Sequence, residues 1–178
     1  MRYVALLRGI NVGGGNKVEM KQLKATFEGV GFTNVRTWIN SGNVIFDTGE
    51  ADRAALTARV EASIEARFAL QVPVLLRSAE EMRAMVDAIP ASWVNDDSMK
   101  CDVLFLWPEV DAPSIVEKLD LDPAIDDLIY VPGAAIRRAD KPDSAKTRLT
   151  RILGTPLYKQ MTMRNVNTAR KLAAMLEE

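Results

Sequence analysis

The residues best suited to chemistry are three consecutive glycines, Gly13, Gly14 and Gly15, set between an apolar run and a helix-like start in Leu6–Met20, LLRGINVGGGNKVEM. Glycine tolerates positive φ and leaves the main chain bare, so another group can approach it closely. A helix start directly behind the loop would add free N–H groups and the positive end of a helix dipole, which together attract anions. Arg8 and Lys17 would add positive charge, and Glu19 would oppose it. The loop matches neither familiar phosphate signature. A P-loop needs Gly-Lys-Ser/Thr where this chain has Gly14-Gly15-Asn16, and GxGxxG fits from neither Gly9 nor Gly13.

A second polar patch lies in Met161–Leu172, MTMRNVNTARKL, where Arg164, Asn165, Asn167 and Thr168 crowd another helix start. A cap accounts for one asparagine. Two asparagines and an arginine exceed that need, and they could form the other wall of an anion site. The expectation is therefore a phosphate-bearing small molecule or a nucleic acid bound between the glycine loop and the C-terminal helix start. The residues in question are Arg8, Asn11, Gly13, Gly14, Gly15, Asn16, Lys17, Arg164, Asn165 and Asn167. No motif indicates a cofactor or a metal site.

Composition narrows the chemistry further. The 178 residues contain no histidine, which removes His-based triads, Cys/His dyads, His-ligated metals and the usual general base near neutral pH. Any catalysis would have to use carboxylates, Lys, Tyr, Ser, Thr or Arg, or a hard cation held by carboxylates. Asp96 and Asp97 are adjacent and would point apart on any regular element. Cys101 is the single cysteine, and its setting in CDVLFLW predicts a buried, reduced thiol. With no apolar run of membrane length and no signal-like N-terminal stretch, the chain reads as cytoplasmic.

The net charge of −1 conceals a polarity along the chain. Ser78–Tyr130 holds 3 basic against 13 acidic residues, whereas Val131–Lys171 holds 10 basic against 2 acidic. Such a basic stretch can attract an acidic partner, or it can pair with the acidic middle of its own chain.

The elements that must position these residues follow from periodicity. Arg2–Arg8 reads as a strand, and Asn16 with Glu19 as a capping box opening a helix that buries Met20, Leu23, Phe27 and Val30 and stops at Gly31. Residues 34–39 and 44–46 flank the turn Ser41-Gly42-Asn43 as a hairpin; 52–68 is a helix and 72–76 a strand. Ser78 and Glu81 cap a helix ended by Pro90, and Ala91–Lys100 reads as a linker. Residues 101–107 form a buried strand, 113–119 a short helix, 128–131 and 135–137 a hairpin, 144–153 a helix, 157–163 a strand and 165 onward a last helix. The order β-α-β-β-α-β thus occurs twice. The predicted fold is α+β, with two tandem ferredoxin-like halves and an extra C-terminal helix: residues 1–77, a helix and linker at 78–100, and residues 101–178. Two helices cover one face of a four-stranded sheet, and Trp38, Val44 and Phe46 are expected on the opposite face.

LLRGINVGGGNKVEM, SGNVIF at Ser41–Phe46 and TMRNVNTARKL together resemble domain-of-unknown-function family 1697, an uncharacterised, mainly bacterial family. The resemblance spans nearly the whole chain and implies two α/β plait halves, with no established activity. The chain departs from the family at Val166, where members often carry an aromatic residue, and at Gly15, where they carry a basic residue or histidine. Two alternatives to anion binding stand beside it: a non-catalytic interaction or dimerisation module, and an enzyme working without histidine.

Overall fold

A computed structural model describes residues 1–178. The chain divides into two compact units, Met1–Glu80 with Leu172–Glu178, and Glu81–Lys171. Each contains a four-stranded antiparallel sheet. No helix is long and apolar enough to cross a membrane.

In the first unit, strands β1 (Arg2–Leu7), β2 (Thr33–Trp38), β3 (Asn43–Asp47) and β4 (Val74–Ser78) lie in the order β2-β3-β1-β4. Helices α1 (Met20–Gly29) and α2 (Arg53–Phe68) supply the cover. Side chains alternate across a strand, so Tyr3, Ala5 and Leu7 face the helices together with Val44, Phe46, Val74 and Leu76. They meet Leu23 and Phe27 of α1 and Leu56, Val60 and Ile64 of α2. Phe46 sits 4.5 Å from Phe32 and 5.4 Å from Phe27 between ring centroids. This corrects the expectation for Val44 and Phe46, which belong to the helix-covered core. The register pairs Ala5 with Val44 and Tyr3 with Phe46, and that parity leaves Asn43 and Ile45 on the other face.

Two arginines fasten the ends of this unit. Arg2 and Asp47 are direct cross-strand neighbours, with Nε to Oδ1 at 2.7 Å and Nη2 to Oδ2 at 3.0 Å, and the guanidinium pulls the Asp47 carboxyl down to about 2. Arg2 Nη1 also donates to Leu176 O, and Arg36 donates to Met175 O, so the chain's last turn of helix is tied into the unit that holds its first strand.

The second unit contains α3 (Ala79–Asp87, continuing from the first unit), β5 (Met99–Leu106), α4 (Ile115–Leu119), β6 (Asp126–Val131), β7 (Ala134–Asp140), α5 (Pro156–Lys159), β8 (Met161–Asn165) and the start of α6 (Val166–Glu177). Its sheet order, β6-β7-β5-β8, repeats that of the first. The covering differs. Where a helix was expected over 144–153, the chain makes two 3-10 turns, Ser144–Lys146 and Arg148–Ile152, broken at Thr147, whose side chain accepts from Leu149 N–H at 3.1 Å. Short 3-10 pieces are all that three apolar residues before Gly154 and Pro156 sustain. The strand expected at 157–163 is likewise α5 followed by β8.

The basic and acidic segments pair with one another inside this unit. Arg137, with 1% of its side chain exposed, donates Nε to Asp126 at 2.5 Å and Nη1 to Asp102 at 3.2 Å. Thr147 Oγ1 donates to the second Asp126 oxygen at 2.9 Å. Arg138 reaches Asp127 and Asp140, and Arg148 reaches Asp120 and Asp122, all nearer the surface. Removing one member of a buried ionic group leaves the others desolvated and unpaired, a cost of about 3–5 kcal/mol. Arg137→Met is therefore expected to lower unfolding stability by that amount in urea denaturation, whereas Arg138→Met changes it by less than about 1 kcal/mol.

Candidate functional site

The glycine loop runs from the end of β1 to the start of α1 and is built by side chain–main chain bonds. Asn11 is central. Its carboxamide donates to Val18 O and to Asn40 O, each at 2.9 Å, and its Oδ1 accepts from Val18 N–H at 2.8 Å. The side chain thus does for Val18 what a neighbouring strand's peptide would do. Asn11 N–H donates to Asn16 O at 3.1 Å, Gly15 N–H to Val12 O at 3.1 Å and Asn16 Nδ2 to Gly9 O at 3.1 Å. Ile10 and Val18, both buried, anchor the two ends of the loop in the core.

Five loop residues have left-handed backbone: Gly9, Asn11, Gly13, Gly14 and Asn16. Glycine and asparagine are the residues that enter this region at least cost. At Gly13 and Gly14 no protein atom lies within 4 Å of where a Cβ would be, so the fold needs their conformational freedom, and the space beside them is open. Gly15 is different. Its φ is not left-handed and a Cβ there would meet only Val12 O, at 3.9 Å.

Asn16 does not cap α1. It is taken up by its bond to Gly9 O, and the helix begins three residues later than expected, at Met20, with Glu19 at the N-cap position. No side chain caps this N-terminus, because Glu19 is turned along the helix to accept from Gln22 Nε2 at 2.8 Å. In α2, by contrast, Asp52 accepts from both Ala54 and Ala55 N–H.

An open groove of about 410 Å³ lies between the loop and this helix start, lined by Asn11, Gly14, Gly15, Lys17, Val18, Glu19, Met20 and Asn40. Of the expected residues, Asn11, Gly14, Gly15 and Lys17 line it, whereas Arg8, Gly13 and Asn16 do not. Asn40 was not foreseen. The available signal was its place beside the Ser41-Gly42-Asn43 turn, which proves to be the loop's support. Leu7 N–H donates to Gly42 O at 2.8 Å, and a Cβ on Gly42 would lie 2.7 Å from Leu7 Cβ and 2.8 Å from Ile10 Cδ1. Asn43, fully buried, holds the turn by donating to Trp38 O and Ser41 Oγ.

The C-terminal patch has structural work within its own unit. Arg164 is buried, donates Nη1 to Thr162 Oγ1 at 3.0 Å and to Met163 O at 2.8 Å, and is pushed down to about 10 by burial. Asn165 Oδ1 accepts from Thr168 N–H at 2.8 Å and so supplies the cap of α6, and Asn167 Nδ2 donates to Asn95 O at 2.8 Å.

Two four-stranded sheets of identical strand order define a tandem α/β-plait protein. The chain belongs to the family described as Protein of unknown function (DUF1697), whose model matches residues 1–136, including the glycine loop and the Ser41–Phe46 turn and strand. It is also similar to the solved structure of the conserved bacterial protein SP0830 from Streptococcus pneumoniae, at 30% identity over 98% of both chains with a TM-score of 0.81. A comparison with curated proteins returns no match.

The contacts at Gly42 give a direct test of how the loop is supported. With φ at +77° and two side chains closer than any Cβ tolerates, Gly42→Ala is expected to destabilise the protein by about 2–4 kcal/mol through backbone strain and overpacking. Thermal denaturation of this variant beside Gly49→Ala, a position where nothing lies within 4 Å, measures the difference.

Proposed function

We propose that the groove beside the glycine loop binds an anionic ligand through a phosphate, carried by a small molecule such as a nucleotide or by a nucleic acid. The observation that carries this reading is the start of α1, which has no side-chain cap and opens beside Lys17 into a groove walled by bare glycine backbone. Phosphate would accept from the first-turn N–H groups and from Gly14, since Gly15 N–H is already given to Val12. Lys17 supplies the positive charge. Asn11 is a positioning residue, with every polar atom of its carboxamide engaged in holding the loop.

Glu19 shapes the expected affinity. Its carboxylate offsets Lys17, so binding rests on short-range hydrogen bonds more than on a long-range field, and a singly charged phosphodiester suits the groove better than a dianion. Arg164, Asn165 and Asn167 are left out of the contact set because Arg164 Nη1 and Asn165 Oδ1 bond within β8 and the start of α6, and Asn167 Nδ2 bonds to Asn95 O. The proposed setting is the cytoplasm, in keeping with the single thiol, Cys101, which is buried and raised to about 11 by desolvation.

Amide-resolved NMR titration with inorganic phosphate, AMP and a short single-stranded oligonucleotide tests the proposal and separates its ligand sources. Saturable shifts at Gly14, Lys17 and Met20 are expected, larger for the oligonucleotide, whose phosphodiesters carry one charge each, than for AMP or phosphate. Lys17→Ala should weaken binding about threefold to tenfold. Gly15→Ala should also weaken it while leaving stability within about 0.5 kcal/mol, because nothing in the fold opposes a methyl group there. An absence of shifts at these amides with all three probes at about 20 mM, far above useful affinity, refutes the proposal.

A further inference from the structure

A second cavity, of about 330 Å³, lies wholly within the second unit, between its sheet and the segment that replaces the expected helix at 144–153. Its origin is a difference in covering. Between β3 and β4 the first unit places the 16-residue helix α2, which fills its sheet face with Leu56, Val60 and Ile64. Between β7 and β8 the second unit has two 3-10 turns and the four-residue α5, and the turns contribute only Leu149 and Ile152 to the core. The uncovered end of the sheet face becomes the cavity floor, made by Asp102, Arg137 and Met163.

Asp102 is the unusual member. Only 5% of its side chain is exposed, yet its carboxylate receives a single donor, Arg137 Nη1 to Oδ2 at 3.2 Å. Arg137 lies closer to Asp126, which it meets at 2.5 Å, so its charge is shared and compensates Asp102 only partly. Desolvation accordingly raises the Asp102 pKa, against the pull of Lys100 at the cavity wall and of Arg137. Oδ1 receives no donor from the protein and opens onto the cavity, where a bound group can reach it. The walls above it are largely apolar surface, from Leu149, Leu153 and Ala145. Leu153, at 53% exposure, is one of the few large apolar side chains turned to solvent, and it stands at the rim.

We infer that this cavity binds a small, largely apolar ring molecule that presents an N–H donor to Asp102. The volume is at the lower end of ligand cavities and suits one or two fused rings. The positive charge of Lys100 balances the carboxylate, so the molecule need not be a cation. The donor supplies the hydrogen bond that Oδ1 lacks, and the ring covers the Leu149–Leu153–Met163 surface.

Indole and benzofuran test this as a matched pair, since they share shape and differ by the N–H. In amide-resolved NMR titrations of the full chain, indole should give saturable shifts confined to Lys100–Asp102, Arg137, Ser144–Tyr158 and Met163. It should bind at least about tenfold more tightly than benzofuran, the ratio that a hydrogen bond to a charged group confers. Asp102→Asn should reduce that preference severalfold. Because this change touches the buried ionic group and could unfold the unit, Leu153→Trp serves as the second variant: it fills the rim from an exposed position, and should cut indole affinity at least about tenfold with an unchanged melting temperature. Absence of indole shifts at several millimolar, equal binding of benzofuran, or full indole affinity in a folded Leu153→Trp protein would each overturn the inference.

Discussion

The glycine loop depends on one side chain, the carboxamide of Asn11. A chain segment with five left-handed residues has little regular hydrogen bonding of its own, and exposed glycine makes its ordering costly in entropy. Asn11 answers both problems by pairing with the two main-chain groups of Val18 and a carbonyl of Asn40. Those bonds bring the two ends of the loop together over buried Ile10 and Val18, and they couple it to the turn at Gly42, which packs against Leu7 and Ile10. The tip is then displayed on a hydrogen-bonded base, beside the groove and the uncapped start of α1.

The two units show how far one topology can diverge in chemistry. Both have the plait strand order, but the first is filled by aromatic rings and two full helices, whereas the second keeps an arginine and two aspartates beneath short turns. Burying Arg137 is tolerable because Asp126, Asp102 and Ser144 O accept from it on three sides. The same pairing absorbs part of the chain's charge polarity. Arg137, Arg138 and Arg148 of the basic segment are matched to Asp102, Asp120, Asp122, Asp126 and Asp127 of the acidic one, so the basic run is not by itself the footprint of an acidic partner.

Strand and helix order was legible in the sequence because apolar periodicity and turn residues agree through most of the chain, as at Leu56, Val60 and Ile64 or at Ser41-Gly42-Asn43. Facing was harder to read. A β-run as short as Val44–Phe46 has apolar residues on both sides, and only the register with Ala5 and Tyr3 decides which two meet the helices. The stretch 144–153 misled because Leu149, Ile152 and Leu153 carry helical spacing, while Thr147 bonds locally and breaks the run. At the loop, residue types named the wrong cap: Asn16 satisfies Gly9 O, and the residue that organises the loop, Asn11, acts through Val18 and Asn40, a long-range pairing that composition does not encode.

Whether Asn11 holds the loop in the free protein is read most directly at one amide, Val18 N–H, whose acceptor is the Asn11 side chain. Hydrogen exchange followed by NMR should show this amide protected by a factor on the order of a hundred or more in the ligand-free protein, as a stable hydrogen bond requires. In Asn11→Ala the protection should vanish while β1 and β4 amides keep theirs. A Val18 amide that exchanges at the unprotected rate in the unsubstituted protein would contradict a preformed loop, and with it the groove.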